Sequence, residues 1–592
     1  MSIIRAEEIK AANFLKLFRK IIEEKTKAGI TAVQNNPADL LERAKSYGIE
    51  YKNGSWGWVS NIWNRSAAGS VVVDKEDNLQ PEHVQLMQRV LEQILCKPMI
   101  QVDANLGQRG SKAEMKCRLY IDSQFPDIAY RWKELNFPGD PCVEPDVTIF
   151  YVPHYLENPN VANSHEMLRV LRFPTYDFSI VTASSYQGEC KKGFLSHWIH
   201  HVYKKGGTGE HASLKEFTAK RVDGKSKRMV MALWGLTGSG KSTHGMYTIN
   251  DRTALIFKEK FGVDIAQYIT DQVIKNDDII GVFEDQVVSP ERGAWTKTED
   301  LDERQEAMFR AATSPRALHE NTEWDENGNI SFAGKIFQYH GKPNQNARTV
   351  LMLEDTGYCD GNVDSSEPLN MAVFISPGYI SDYAWLKIND ASFAAKVLAD
   401  GRTTGHPAQS RKGVGEEKYE SRYCLPFTMG VGNAAHVKRF YEFIKKRVRT
   451  DNPLEVYQVS TTGRVGADYD WTELHLGEKK IKLPKTKFQE INGKIKPVGG
   501  TGPTIEETEF FLFQAARGAV KYEPHPIWGR KVLVPVEVDG LSKERLAELN
   551  PFHYRSAAEM KRLLSAQIVT SKFYLDKQCP GLPKNIYNAM DF

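Results

Sequence analysis

The sequence has no run of about eighteen consecutive apolar residues, so no segment of it is predicted to span a bilayer. Its opening Met-Ser-Ile-Ile-Arg-Ala-Glu-Glu lacks the basic-then-apolar pattern of a secretion signal. Cysteine is scarce: Cys96, Cys117, Cys142, Cys190, Cys359, Cys424 and Cys579 are seven in 592 residues, an odd number with no close pair. That argues against a disulfide frame or a Cys-based zinc site and predicts reduced thiols in a cytoplasmic protein. An excess of one charge is missing too, with 78 Lys and Arg against 75 Asp and Glu. The balance marks neither nucleic acid nor an anionic membrane as a partner, so any anion affinity must be local. Repeats, heptads and low-complexity tracts are absent, and oligomeric state has no signature.

What is present describes an ordinary globular chain, 41% hydrophobic and 26% charged, long enough for two or more domains. Residues 5–28 place Ile9, Phe14, Leu17, Phe18, Ile21 and Ile22 at helical spacing among Lys and Glu, and residues 31–47 predict a second helix. From about Trp56, short β-like runs (70–73, 99–102, 117–121, 146–152, 178–181) alternate with helical stretches such as 83–95. That pattern predicts an α/β architecture. A polar, Gly-rich passage at 204–227 reads as the domain boundary, dividing the chain into 1–212 and 213–592. The loose stretch from Asp400 reads as a mobile lid near 398–420, and helical pieces follow at 436–447, 504–519 and 556–569.

The strongest local signal is Gly235-Leu236-Thr237-Gly238-Ser239-Gly240-Lys241-Ser242, followed by Thr243 and preceded by the apolar run 229–234. A strand, a Gly-rich turn and a helix start form a phosphate cradle. Backbone N–H groups curl round phosphate oxygens, Lys241 reaches the β- and γ-phosphates, and the Ser242 hydroxyl is placed for Mg²⁺. A nucleoside triphosphate is the predicted ligand.

Around this turn lie Ser185-Tyr186-Gln187-Gly188-Glu189-Cys190-Lys191-Lys192-Gly193, then His211, then the paired carboxylates Asp277-Asp278, then Asn346-Ala347-Arg348-Thr349. Each segment alone reads as solvated charge or a turn. In this order they resemble the ATP-dependent phosphoenolpyruvate carboxykinases. Those enzymes carry Trp-Tyr-Gly-Gly-Glu-Met-Lys-Lys-Gly, a metal-binding His, Gly-Leu-Ser-Gly-Thr-Gly-Lys-Thr and an Asp-Asp pair. The likeness continues in residues 294–301, 317–322 and 346–349 and, near the N-terminus, in Asn64-Arg65-Ser66. It is patchy to 440 and weak beyond.

The resemblance implies a two-domain carboxykinase-like α/β fold with mixed sheets, the second domain being the mononucleotide-binding one. It implies decarboxylation of oxaloacetate and phosphorylation of the enolate to give phosphoenolpyruvate and CO₂, a reaction of gluconeogenesis. Lys192, His211 and Asp278 would bind Mn²⁺, a nitrogen-rich set that suits a borderline first-row ion. Lys241, Ser242 and Asp277 would serve the ATP phosphates and Mg²⁺. Arg348 would neutralise the transferring phosphoryl group, Arg65 would clamp a substrate carboxylate, Tyr186 would face the substrate or CO₂, and Thr237 would lie near the enolate oxygen.

Departures from the family pattern are specific. The family's Trp and first Gly are Ser185 and Gln187, and the charges after its Arg-Ser are lost in Ala67-Ala68-Gly69. The adenine loop has two candidate counterparts, 460–466 with Arg464 and 499–508 without an Arg. Two other readings stay open: a kinase of the same fold acting on another small hydroxy- or oxo-acid, and a non-catalytic nucleotide sensor.

Overall fold

The computed structural model describes residues 4–60, 70–153, 170–235, 239–334, 338–339, 342–343, 346–376, 378–404, 417–419, 429–448, 450–461, 463–476, 479–491 and 494–592. Every structural statement below concerns those residues. The fold is mixed α/β, built on two eight-stranded sheets and a five-stranded one.

The N-terminal sheet runs Val33–Gln34, Met99–Leu106, Met115–Asp122, Val147–Val152, Phe178–Thr182, Val170–Phe173, Ser70–Val72, with Phe137–Pro138 joining at Met99–Leu106. Val147–Val152 and Phe178–Thr182 are buried on both faces, which explains their nearly unbroken apolar sequence. Phe14, Phe18 and Ile21 of the helix Phe14–Lys27 pack on one face beside Leu86, Val90 and Ile94 of Pro81–Cys96. The buried helix Gln187–Lys204 covers the other face.

The central sheet runs Ile269–Asn276, Ala212–Lys220, Ser226–Trp234, Met371–Ser376, Glu455–Ser460, Trp385–Ile388, Gly529–Val538, Val520–His525. Ser226–Trp234 pairs parallel with Met371–Ser376, which pairs parallel with Glu455–Ser460. Those strands need crossovers, and large apolar clusters form on both faces. The five-stranded sheet joins Gly293–Lys297, Arg348–Met352, Leu318–Glu320, Trp56–Trp58 and Ile49–Glu50.

Several expectations need correction. The polar passage 204–227 contains the strands Thr208–Glu210 and Ala212–Lys220, and the latter pairs with Ser226–Trp234 along its whole length. Polar residues misled there because Ser213, Lys215 and Glu216 are buried, the last two with ionic partners. The helix expected over 31–47 is Pro37–Lys45, and Val33–Gln34 forms an edge strand instead. Of the stretch 398–420, residues up to Asp400 close the helix Ala391–Asp400, and Arg402–Thr404 pairs with Glu417–Tyr419. The rest of the expected lid lies outside the described residues. No helix is long and apolar enough to cross a membrane.

Candidate active site

Tyr186 caps the helix Gln187–Lys204, which brings Lys191 and Lys192 into its second turn. Cations near a helix N-terminus oppose the helix dipole, at a cost of about 0.3–1 kcal/mol each at exposed sites. Here carboxylates offset that. Lys191 and Lys192 both donate to Asp278 Oδ2, and Lys191 also lies 3.0 Å from Glu291 Oε2. Asp277 and Asp278 follow the strand Ile269–Asn276. Asn276 Oδ1 accepts from the N–H groups of Asp278 (2.7 Å) and Ile279 (3.2 Å), an Asx turn that fixes where both carboxylates point.

His211, at the start of the neighbouring strand, sets Nε2 2.9 Å from Asp278 Oδ1. Lys241 Nζ lies 3.4 Å from the same oxygen and donates to the Asp277 carbonyl, while the Ser242 hydroxyl donates to Asp277 Oδ2 at 2.9 Å. Lys192, His211, Lys241, Ser242, Asp277 and Asp278 are therefore one continuous cluster. Arg348 Nε donates to the Tyr186 hydroxyl at 3.4 Å, and that hydroxyl donates to Asn346 Oδ1 at 3.0 Å. Trp295 ties the two groups together, with the Arg348 guanidinium 5.3 Å and Lys191 Nζ 5.7 Å from its ring centre.

Burial shapes the charges. It pushes the Asp278 carboxyl up, but Lys191, Lys192 and Lys241 outweigh it and hold the group well below the usual carboxylate range. Asp277 is raised by burial against the pull of Lys241. His211 is driven down to about 3 by burial and by Lys241, so its ring is neutral at pH 7. Burial raises the Tyr186 phenol to about 12 despite Arg348. Three ammonium groups (Lys191, Lys192, Lys241) face three carboxylates (Asp277, Asp278, Glu291), while Glu299 and Glu320 act on the buried Arg348 guanidinium.

The glycine-rich turn is demanded by space. A Cβ on Gly235 would lie 2.6 Å from Ser239 Oγ and 2.9 Å from Lys241 Cβ, and Gly240 adopts φ +94° just before the helix Lys241–Gly245. Thr237, Gly238 and Arg65 lie outside the described residues. Thr243 turns away from the carboxylates and bonds Gln305 Oε1 at 3.1 Å. The two adenine-loop candidates are neighbours: Val465 and Thr501 exchange backbone hydrogen bonds of 3.0 and 2.9 Å. Thr461 Oγ1 donates to the Ser239 carbonyl at 2.9 Å, which joins that pair of loops to the turn.

Sequence reasoning passed over Glu291, and it passed over a buried brace under the turn. Glu509, on the helix Ile505–Arg517, accepts from Lys215 Nζ at 2.9 Å and sits 2.8 Å from His244 Nδ1, while Lys215 also donates to the His244 carbonyl at 2.8 Å. An acid within the apolar stretch Glu509-Phe510-Phe511 was the one signal available. Glu509→Gln strands the Lys215 ammonium and is expected to cost about 3–5 kcal/mol of unfolding free energy, read from the urea midpoint.

The sequence model of the phosphoenolpyruvate carboxykinases of the ATP-dependent type matches residues 73–355, a little under half of the chain. Over that span the chain is similar to the phosphoenolpyruvate carboxykinase family. The carboxykinase span contains Tyr186, Lys192, His211, the glycine-rich turn, Asp277, Asp278 and Arg348; Arg65, Arg464 and Glu509 fall outside it. That similarity supports a carboxykinase-like function. No curated protein matches the chain.

Proposed function

We propose that this protein decarboxylates oxaloacetate and phosphorylates the resulting enolate with a nucleoside triphosphate, ATP foremost, to give phosphoenolpyruvate, CO₂ and the diphosphate. The observation that carries this reading is the convergence of Lys192, His211 and Asp278 beside Lys241 and Arg348. In that chemistry the bond to the departing carboxylate breaks and its electron pair passes to the carbonyl oxygen. That oxygen then attacks the γ-phosphorus, and the diphosphate leaves. Decarboxylation makes the nucleophile, so the site needs positioning and charge stabilisation more than a base. Lys241 engages the β- and γ-phosphates, Arg348 and Lys191 neutralise the transferring phosphoryl group, Arg65 clamps the acid's carboxylate, and Tyr186 orients the acid through its hydroxyl. The same reading makes 1–212 the substrate-side domain and 213–592 the nucleotide-side one.

Among the described residues no three His, Cys, Asp or Glu side chains group as a metal site. The donor set fits a divalent ion once the lysine is counted: a neutral imidazole, an ionised carboxylate and an amine lie around one point. Lysine ligates only after losing its proton, a demand that the ion's own charge helps to meet. Lys192, His211 and Asp278 would hold Mn²⁺, with Ser242 and Asp277 at Mg²⁺. When bound, such ions supply Lewis-acid stabilisation of developing negative charge on oxygen.

Lys192→Ala is expected to remove Mn²⁺ stimulation of turnover and to lower kcat by about a hundredfold or more. ATP binding, measured by calorimetry, should stay within a fewfold. The decisive assay couples CO₂ release from oxaloacetate to nucleotide consumption. ADP formed from another acid without CO₂ would favour a same-fold kinase, and tight ATP binding without turnover a sensor.

A further inference from the structure

The helix Lys241–Gly245 carries the two side chains assigned to the triphosphate, Lys241 and Ser242, yet it is five residues long. A segment that short does not hold its own place, so its surroundings must. It lies directly on the strand Ala212–Lys220, where a Cβ on Gly245 would come 2.4 Å from Ser213 Oγ.

The same strand supplies Lys215, which is buried together with His244 and Glu509. Lys215 Nζ donates to the carbonyls of His244 at 2.8 Å and Tyr247 at 3.4 Å, and to Glu509 Oε2 at 2.9 Å. Glu509 Oε1 lies 2.8 Å from His244 Nδ1; an ionised carboxylate only accepts, so that nitrogen is the donor. The His244 ring reaches Gly240 as well, for a Cβ there would lie 3.4 Å from His244 Cδ2. Contact therefore runs from Glu509 through the imidazole to the residue just before Lys241. Glu509 comes from outside the residues that match the carboxykinase model. Its helix, Ile505–Arg517, is itself tied down one turn earlier. Glu507 accepts from Arg545 Nε at 2.9 Å and Nη2 at 3.0 Å, and Arg545 donates to Thr501 Oγ1 at 3.0 Å and the Gly502 carbonyl at 2.8 Å.

We propose that Glu509, acting through His244 and Lys215, is a positioning residue for the phosphate-binding turn and sets how tightly the triphosphate is held. This rests on reading the turn as a nucleotide site. A buried ion pair adds little stability over apolar packing of the same volume; what it adds here is direction. Hydrogen bonds from a fixed carboxylate and ammonium hold the helix in one place, and Lys241 and Ser242 with it. A shift of about 1 Å there would separate them from the phosphates, and such preorganisation is felt as affinity.

The test titrates ATP and inorganic tripolyphosphate, each with Mg²⁺, calorimetrically into the full chain and its variants. His244→Phe keeps a ring but cannot bond Glu509, and should weaken both ligands about tenfold or more. His244→Asn sets an amide donor near the place of Nδ1 and should bring both back to within about threefold of wild type. Lys215→Met/Glu509→Leu removes both charges together, should stay folded, and should weaken both ligands at least as much as His244→Phe. Wild-type affinity in a folded His244→Phe or Lys215→Met/Glu509→Leu overturns the proposal and leaves a structural brace. Unfolding of both at the assay temperature does the same. A loss for ATP alone overturns it by placing the effect at the base, and so does an equal loss in His244→Asn and His244→Phe. Brace-dependent ATP binding without CO₂ release from oxaloacetate supports the proposal and overturns the decarboxylating reading instead. Failure of wild type to bind ATP overturns both.

Discussion

Asp278→Asn is expected to lower nucleotide-dependent turnover by about a hundredfold to a thousandfold and to cost about 3–5 kcal/mol of unfolding free energy. The substitution keeps shape and removes charge. Asp278 accepts from Lys191 and Lys192, sits 2.9 Å from His211 and 3.4 Å from Lys241, and is the shared counter-charge of three buried ammonium groups. Neutralising it leaves those cations pressed together with Glu291 and Asp277 as the remaining nearby carboxylates. The urea midpoint should fall, and the coupled assay should report the loss in kcat. A variant that unfolds at the wild-type midpoint would show that the lysines do not depend on this carboxylate. The pH arm has a definite sign. Because Asp278 is held below its usual value, its contribution is complete above the unfolded value near 3.8 and fades as pH falls through the lower folded value.

Acidification from about pH 6.5 is expected to produce the second large effect, a steep loss of stability. Burial drives His319 and His436 down to about 3 and His525 down to about 4. His319 is satisfied as a neutral ring, with Nδ1 3.0 Å from Thr349 Oγ1 and Nε2 3.3 Å from Ser55 Oγ. The unfolded chain takes up protons on these rings near pH 6.5, while the folded chain refuses them until about 4 or 3. Over that window the unfolded state binds more protons, so stability falls as pH falls. Each tenfold difference in proton affinity between the folded and unfolded chain is worth about 1.4 kcal/mol at most, so three such rings are a large fraction of a typical folding free energy of about 5–15 kcal/mol. Glu210 works in the other direction. Burial raises it to about 8 against hydrogen bonds from Thr208 and Trp234, so its contribution is complete below about 4.5 and lost as pH rises through about 8. Melting temperatures recorded between about pH 4 and 9 should therefore pass through a maximum. A flat profile from about 6.5 to 4 would contradict the buried neutral histidines.

The cluster was legible because its chemistry is carried by adjacent pairs. Lys191-Lys192 and Asp277-Asp278 stand out in sequence, and the glycine-rich turn announces a backbone that tolerates no Cβ at Gly235. What escaped was joined across long separations. Glu509 lies 265 residues beyond His244, and only the phenylalanines that follow it set it apart from a surface acid near a helix start. The start of the helix at Gln187 escaped because Tyr186 caps it without a side-chain hydrogen bond, leaving no Ser, Thr, Asp or Asn signature. The strand Ala212–Lys220 was hidden because its buried positions include Lys215 and Glu216, polar residues satisfied only in the folded state. Alternation and apolar run length recovered the N-terminal strands well, their ends shifting by a few residues as in Met99–Leu106 and Met115–Asp122.

The strand order of the central sheet bears on how the chain is made. Ser226–Trp234, which delivers the glycine-rich turn, has Met371–Ser376 as its parallel neighbour, with Glu455–Ser460 and Gly529–Val538 further out. A ribosome that has released only the residues up to Asp355 has thus produced three of the eight strands, with an open apolar edge. Closure waits for strands synthesised much later, and such long-range pairing is slow and exposed to aggregation. Nascent chains of this protein are therefore expected to need protection during synthesis, and a product cut after Asp355 should be insoluble.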